Sequence, residues 1–161
     1  MPIVDVKSDA VDQGAGALKE PVDPIRCRAL LRAACGTVAN ASTDSNGSVY
    51  RLATIPSRAI LRPETQLDLT GWGYAAATLG VARERGAVLT ANGLAGTITI
   101  GALAGALTTP VAKFGLKWGK PLWESCGLAA DPGGNLDVVI TTAANATGAG
   151  VAKFDFVWQI D

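Results

Sequence analysis

The feature that most constrains the fold is a run of three alternating segments between Gly47 and Ala82, broken by a proline corner and a glycine turn. In Val49 to Ile55, Tyr50, Leu52 and Thr54 fall on one face of an extended chain and Val49, Arg51, Ala53 and Ile55 on the other, since successive strand side chains point to opposite sides. Pro56 has no N–H to donate, so the ladder is expected to end there. Leu67, Leu69 and Gly71 then alternate with Gln66, Asp68 and Thr70, which predicts a strand with one apolar and one wet face. After Gly71-Trp72-Gly73 a third strand runs to Ala82. No reactive side chains gather in this stretch; it reads as scaffold.

The same period of two recurs downstream. Arg83 to Gly86 is a charged turn, and two short strands, Val88 to Ala91 and Thr97 to Gly101, are expected around an Asn92-Gly93 turn. Val111 to Trp118 turns Ala112, Phe114, Leu116 and Trp118 inward; Leu136 to Thr142 does so with Leu136, Val138 and Ile140. The last strand, Val151 to Trp158, lines up Phe154, Phe156, Trp158 and Ile160. Val-Ala-Lys-Phe occurs at both 111 and 151, but two copies are too few for a repeat fold, and two core strands under similar constraints explain them. About nine short strands with glycine-rich connections predict an all-β domain, a β-sandwich and most simply a jelly roll.

The expected domain spans 26–161, preceded by an extended N-terminal arm at 1–25. The arm has mixed charge, Gly14, Gly16, Pro2, Pro21 and Pro24, and no regular period. Its one apolar knot is Ile3, Val4 and Val6, the candidate partner-binding residues, which suit addition to the edge of a neighbour's sheet. The plainer reading is a frayed terminus.

Charge and residue inventory narrow the function. Lys plus Arg equals Asp plus Glu, 14 each, so no net field draws in nucleic acid or an anionic membrane. Histidine is absent, which removes Ser-His-Asp and Cys-His nucleophile systems, HExxH zinc sites and an imidazole base. No catalytic residue, cofactor or metal is expected, and the chain is not read as an enzyme. Cys27, Cys35 and Cys126 have neither CxxC spacing nor an even count, so they are read as small buried hydrophobes of a chain made in a reducing cytoplasm. The start, Met-Pro-Ile-Val-Asp-Val-Lys, lacks the pattern of a signal peptide. Leu94 to Ala112 is uncharged, but its Gly, Ala and Thr content argues against a membrane span.

Two further groupings are weighed and set second to structural roles. Asp131-Pro-Gly-Gly-Asn-Leu-Asp137 places oxygen ligands close together but misses EF-hand spacing and is first a turn. Trp72, Tyr74 and Trp123 suit an aromatic platform for sugars, although core packing is the commoner fate of such residues. If Trp72 and Tyr74 are exposed, the alternative function is a carbohydrate- or receptor-binding β-sandwich, as on a head fibre or adhesin.

Residues 119–150, with Leu122-Trp-Glu-Ser-Cys-Gly-Leu128, Asp131-Pro-Gly133 and a Thr/Ala-rich hairpin before the last strand, resemble a small structural protein found beside the major capsid protein in tailed bacteriophages. Val49-Tyr-Arg-Leu-Ala-Thr-Ile-Pro-Ser-Arg-Ala59 and Thr78-Leu-Gly-Val81 are similar to the same family, so that most of 26–160 is covered and the arm is not. The resemblance implies a head decoration, or cement, protein: a homotrimer on the outside of the capsid, bound to the phage major capsid protein, made in the host cytoplasm and located at the virion capsid surface. It also decides one local ambiguity. Asp23-Pro24 and Gly36 carry the signals of a helix across Ile25 to Cys35, which local propensity favours. The competing reading is a long strand over Arg26 to Ala41 with a bulge at Gly36, and it is chosen because the resemblance places a strand here, with Thr43 to Gly47 then making a hairpin loop into Val49.

Overall fold

A computed structural model describes residues 3, 5–7, 31–62, 64–99 and 119–160, and everything below concerns these. Two sheets pack face to face. One has five strands in the order β1 (Asp5–Lys7), β3 (Val49–Pro56), β8 (Asn135–Thr142), β6 (Ala76–Arg83), β7 (Val88–Thr99). The other has the order β2 (Leu31–Asn40), β9 (Gly150–Gln159), β4 (Ile60–Leu61), with β5 (Gln66–Gly71) also paired to β9. Every pairing is antiparallel except that of β1 with β3, which is parallel. The chain is therefore an all-β sandwich, with one four-residue helix, α1 (Leu122–Ser125), among the described residues.

Alternation in the sequence becomes layering. Val38, Leu67, Leu69, Ala152, Phe154, Phe156 and Trp158 from one sheet meet Tyr50, Leu52, Ile55, Leu79, Val81, Leu136, Val138 and Ile140 from the other, in one buried cluster. The Phe154 and Phe156 rings lie 5.3 Å apart. Each large apolar side chain buried this way contributes roughly 1.5–3 kcal/mol. Strand β8 is central, between β3 and β6, and buried on both faces, the inner one by the core and the outer one, at Asp137, by Arg51 and the 84–86 turn.

In β3 the simple alternation fails, since the register against β8 shifts between Arg51 and Ala53 and leaves Leu52 as an extra residue. The bulge moves later side chains to the opposite face. Tyr50, Ala53 and Ile55 then sit opposite Ile140, Val138 and Leu136 on the core side, while Arg51 and Thr54 share the other face with Asp137. The expected grouping of Tyr50, Leu52 and Thr54 is thus corrected.

Three other expectations change. Strand β2 runs opposite β9 without a break from Leu31 to Asn40, so Gly36 carries no bulge. Strands β2 and β3 belong to different sheets, and residues 41–48 form an arch across the sandwich rather than a hairpin loop. Around Asn92-Gly93 the backbone does not turn but continues as one irregular strand, β7, with several register shifts against β6. Glycine makes that course possible: a Cβ on Gly93 would lie 2.5 Å from the Cys126 carbonyl oxygen, and one on Gly80 would lie 1.9 Å from the Thr90 carbonyl oxygen. The Arg83 to Gly86 turn is present, closed by Gly86 N–H donating to the Arg83 carbonyl at 2.8 Å. The strand expected over 111–118, the end of the one expected over 97–101, and residues 26–30 lie outside the described residues.

The helix α1 is fastened to the Pro56–Ala59 corner. Its first N–H groups, which have no intrahelical acceptor, donate to that corner: Leu122 to the Ala59 carbonyl at 2.7 Å and Trp123 to the Ser57 carbonyl at 3.1 Å. Leu122 is fully buried.

Candidate functional site

Three polar centres stand out among the described residues, and each serves the fold. The first lies inside the arch. Tyr50 Oη donates to Asp44 Oδ2 at 2.6 Å and lies 2.6 Å from Tyr74 Oη, which therefore supplies the proton of that second bond. Asp44 also accepts from Ala41 N–H at 2.9 Å. Burial first, and then the bonds to Asp44 and Tyr74, push the Tyr50 hydroxyl far above the usual phenol range. Trp72 completes an aromatic group with ring separations of 4.8 Å to Tyr50 and 5.7 Å to Tyr74. Next to it, Asn40 accepts from Gly73 N–H and donates to the Gly148 carbonyl, tying β2 to two loops. A phenol locked neutral inside the core cannot act as a general base toward a solute.

On the outer face of the five-stranded sheet, beneath the 84–86 turn, lies the second centre. Arg51 donates to Asp137 Oδ2 at 2.8 Å, to the Gly86 carbonyl at 2.7 Å and to the Arg83 carbonyl at 3.3 Å. Asp137 also accepts from Thr54 Oγ1 and Arg85 N–H. Both members of the pair are buried, so its hydrogen bonds offset the cost of removing two charges from water.

The third is a shallow cleft of about 300 Å³ between the Pro56–Arg58 corner, the Asp131–Gly134 turn and Ile160. Arg58 Nε donates to Asp131 Oδ2 at 2.8 Å, and Asp131 Oδ1 accepts from Gly133 N–H. The Arg58 bond first, then those from Ser57 and Gly133, holds the Asp131 carboxyl at about 2. Gly133 and Gly134 have φ of 70° and 66°, which closes this turn in a conformation other residues strain to adopt.

The residues singled out in the sequence do not converge. Asp131 is on the rim of the cleft, paired with Arg58, while Asp137 is buried against Arg51, so the 131–137 segment brings no ligand shell together. No group of three or more Cys, Asp or Glu among the described residues is placed to hold a metal ion. Trp72 and Tyr74 are buried, which corrects the possibility of an exposed platform; Trp123 is half-buried within α1. Cys126 is buried as expected, Cys35 is exposed on β2, and Cys27 lies outside the described residues. No described helix is long and apolar enough to cross a membrane. Of the apolar knot, Ile3 is exposed, Val4 lies outside the described residues, and Val6 is in β1, opposite Tyr50 in register. Sequence reading missed the Asp44–Tyr50 and Arg51–Asp137 pairs; a charged residue in the middle of a strand, as Arg51 and Asp137 both are, was the one available signal.

Comparison with known proteins found no matching family model, no matching curated protein and no matching solved structure.

Proposed function

We propose that this chain is a virion structural protein, a head decoration or cement protein that binds the outer surface of a tailed-phage capsid and stabilises the shell. The observation carrying this reading is that the acids, phenols and guanidinium groups best placed for chemistry, Asp44, Tyr50, Arg51 and Asp137, are buried and bonded to one another, which leaves a rigid sandwich whose surfaces are available for adhesion. The resemblance of 49–59, 78–81 and 119–150 to the decoration family supports it, and the quoted motifs fall on strand β3 and its corner, on β6, and on α1 with the turn after it. The nested pairing of β2 with β9 and of β3 with β8 is the pairing a jelly roll makes, and favours that form of sandwich. A homotrimer whose subunits each touch the shell gains effective concentration for every contact after the first, so modest interfaces suffice to clamp the major capsid protein. The burial of Trp72 and Tyr74 counts against the carbohydrate- or receptor-binding alternative.

Cryo-microscopy of the native particle tests the proposal, with additional density expected at local threefold positions of the shell. Capsids should also co-sediment the full chain, and a chain lacking residues 2–22 should bind less while remaining folded. A native shell carrying no such density, together with no co-sedimentation of the full chain, overturns the reading.

A further inference from the structure

The edge of the five-stranded sheet next to β3 is occupied by the chain's own N-terminal strand. Asp5, Val6 and Lys7 pair in parallel with Val49, Tyr50 and Arg51. Among the described residues this attachment is three residues long, whereas β2 pairs with β9 over ten. Between Lys7 and Leu31, the start of β2, lie 23 residues. Strand β2 itself spans about 33 Å. A 23-residue connection reaches about 80 Å when extended, far more than is needed to return to the same domain. The backbone bonds that β3 offers to residues 5–7 are the same whichever copy supplies the strand, so the choice depends on tether geometry and local concentration alone.

From the short ladder, the long tether and the edge position we infer that β1 is an exchangeable strand, and that in the self-associated protein residues 5–7 of one copy pair with β3 of another. The recognising chemistry is main-chain hydrogen bonding to a sheet edge, with the partner a second copy of this chain. In a dilute monomer the strand folds back; in an assembly, where a second β3 edge lies within reach, it crosses. The inference rests on the homotrimer within the proposed function and does not require the capsid.

Paired cysteines test it in the full-length chain, with Cys35→Ser removing the exposed thiol and Cys27→Ser the one outside the described residues. Asp5→Cys and Val49→Cys are register partners. The two single variants, mixed, unfolded, refolded together and oxidised, should form a disulfide-linked species of twice the chain mass, well above the yield from Asp5→Cys mixed with Lys153→Cys on the other sheet. The double variant should form linked dimers and larger species at concentrations where native mass exceeds one chain. If the double variant closes only within single chains at such concentrations, or if native mass stays at one chain throughout the micromolar to millimolar range, the inference is overturned. Capsid co-sedimentation, measured separately, shows whether the decoration reading falls with it.

Discussion

At the scale of single residues, Tyr50 joins an arch, a strand and the 72–74 loop through one hydroxyl. Replacing it with Phe leaves the buried Asp44 carboxylate short of a donor, which costs about 1–3 kcal/mol; Tyr74→Phe removes only a donor to Tyr50 and should cost about 1 kcal/mol. Urea unfolding of the two variants checks this order. Because the folded Tyr50 resists ionisation while the unfolded one ionises near 10.0, stability should decline as pH rises above that value. Asp131 behaves in the opposite sense. Its carboxyl is held at about 2 against an ordinary 3.8, so the unfolded chain binds more protons between these values; the contribution is complete above the ordinary value and is lost as pH falls through about 2. Carboxyl NMR titration should find the low value in the native protein and a rise toward 3.8 in Arg58→Ala. Little of this was legible in the sequence, because Asp44 and Tyr74 come near Tyr50 only when the arch and the 72–74 loop fold over it.

The elements depend on two devices that interrupt regular alternation. The bulge at Leu52 turns Arg51 and Thr54 toward Asp137, and the resulting cluster fastens β3, β8 and the 84–86 turn. Asp137→Asn should destabilise the protein by about 3–5 kcal/mol, since it leaves the buried Arg51 charge without its partner. Chemical denaturation gives the magnitude, and rapid amide exchange in 84–87 should accompany it. Gly80→Ala places a methyl group on the backbone of β7 and should unseat that strand, costing about 1–3 kcal/mol or more, with loss of amide protection in β7 before the other strands. Strand existence was readable from hydrophobic period at β3, β5, β6, β8 and β9. Where β7 was expected as two strands, Asn92-Gly93 looked like a turn; the glycine there serves close passage of Cys126 instead.

For the whole molecule, both sheets share one hydrophobic cluster containing Trp72 and Trp158, so tryptophan fluorescence and far-ultraviolet circular dichroism should report the same cooperative unfolding transition. Non-coincident curves would show that the sheets unfold separately. The sequence by itself determined the all-β class and most of the apolar faces, because the period-two placement of residues such as Phe154, Phe156 and Trp158 is a property of the local chain. Only the tertiary structure decided that β2 and β3 lie in different sheets, that Trp72 and Tyr74 face inward, and that Asp5–Lys7 closes the β3 edge. Each of those outcomes depends on contacts between segments distant in sequence, whose pairing is set by which edges and faces remain to be covered once the local strands have formed.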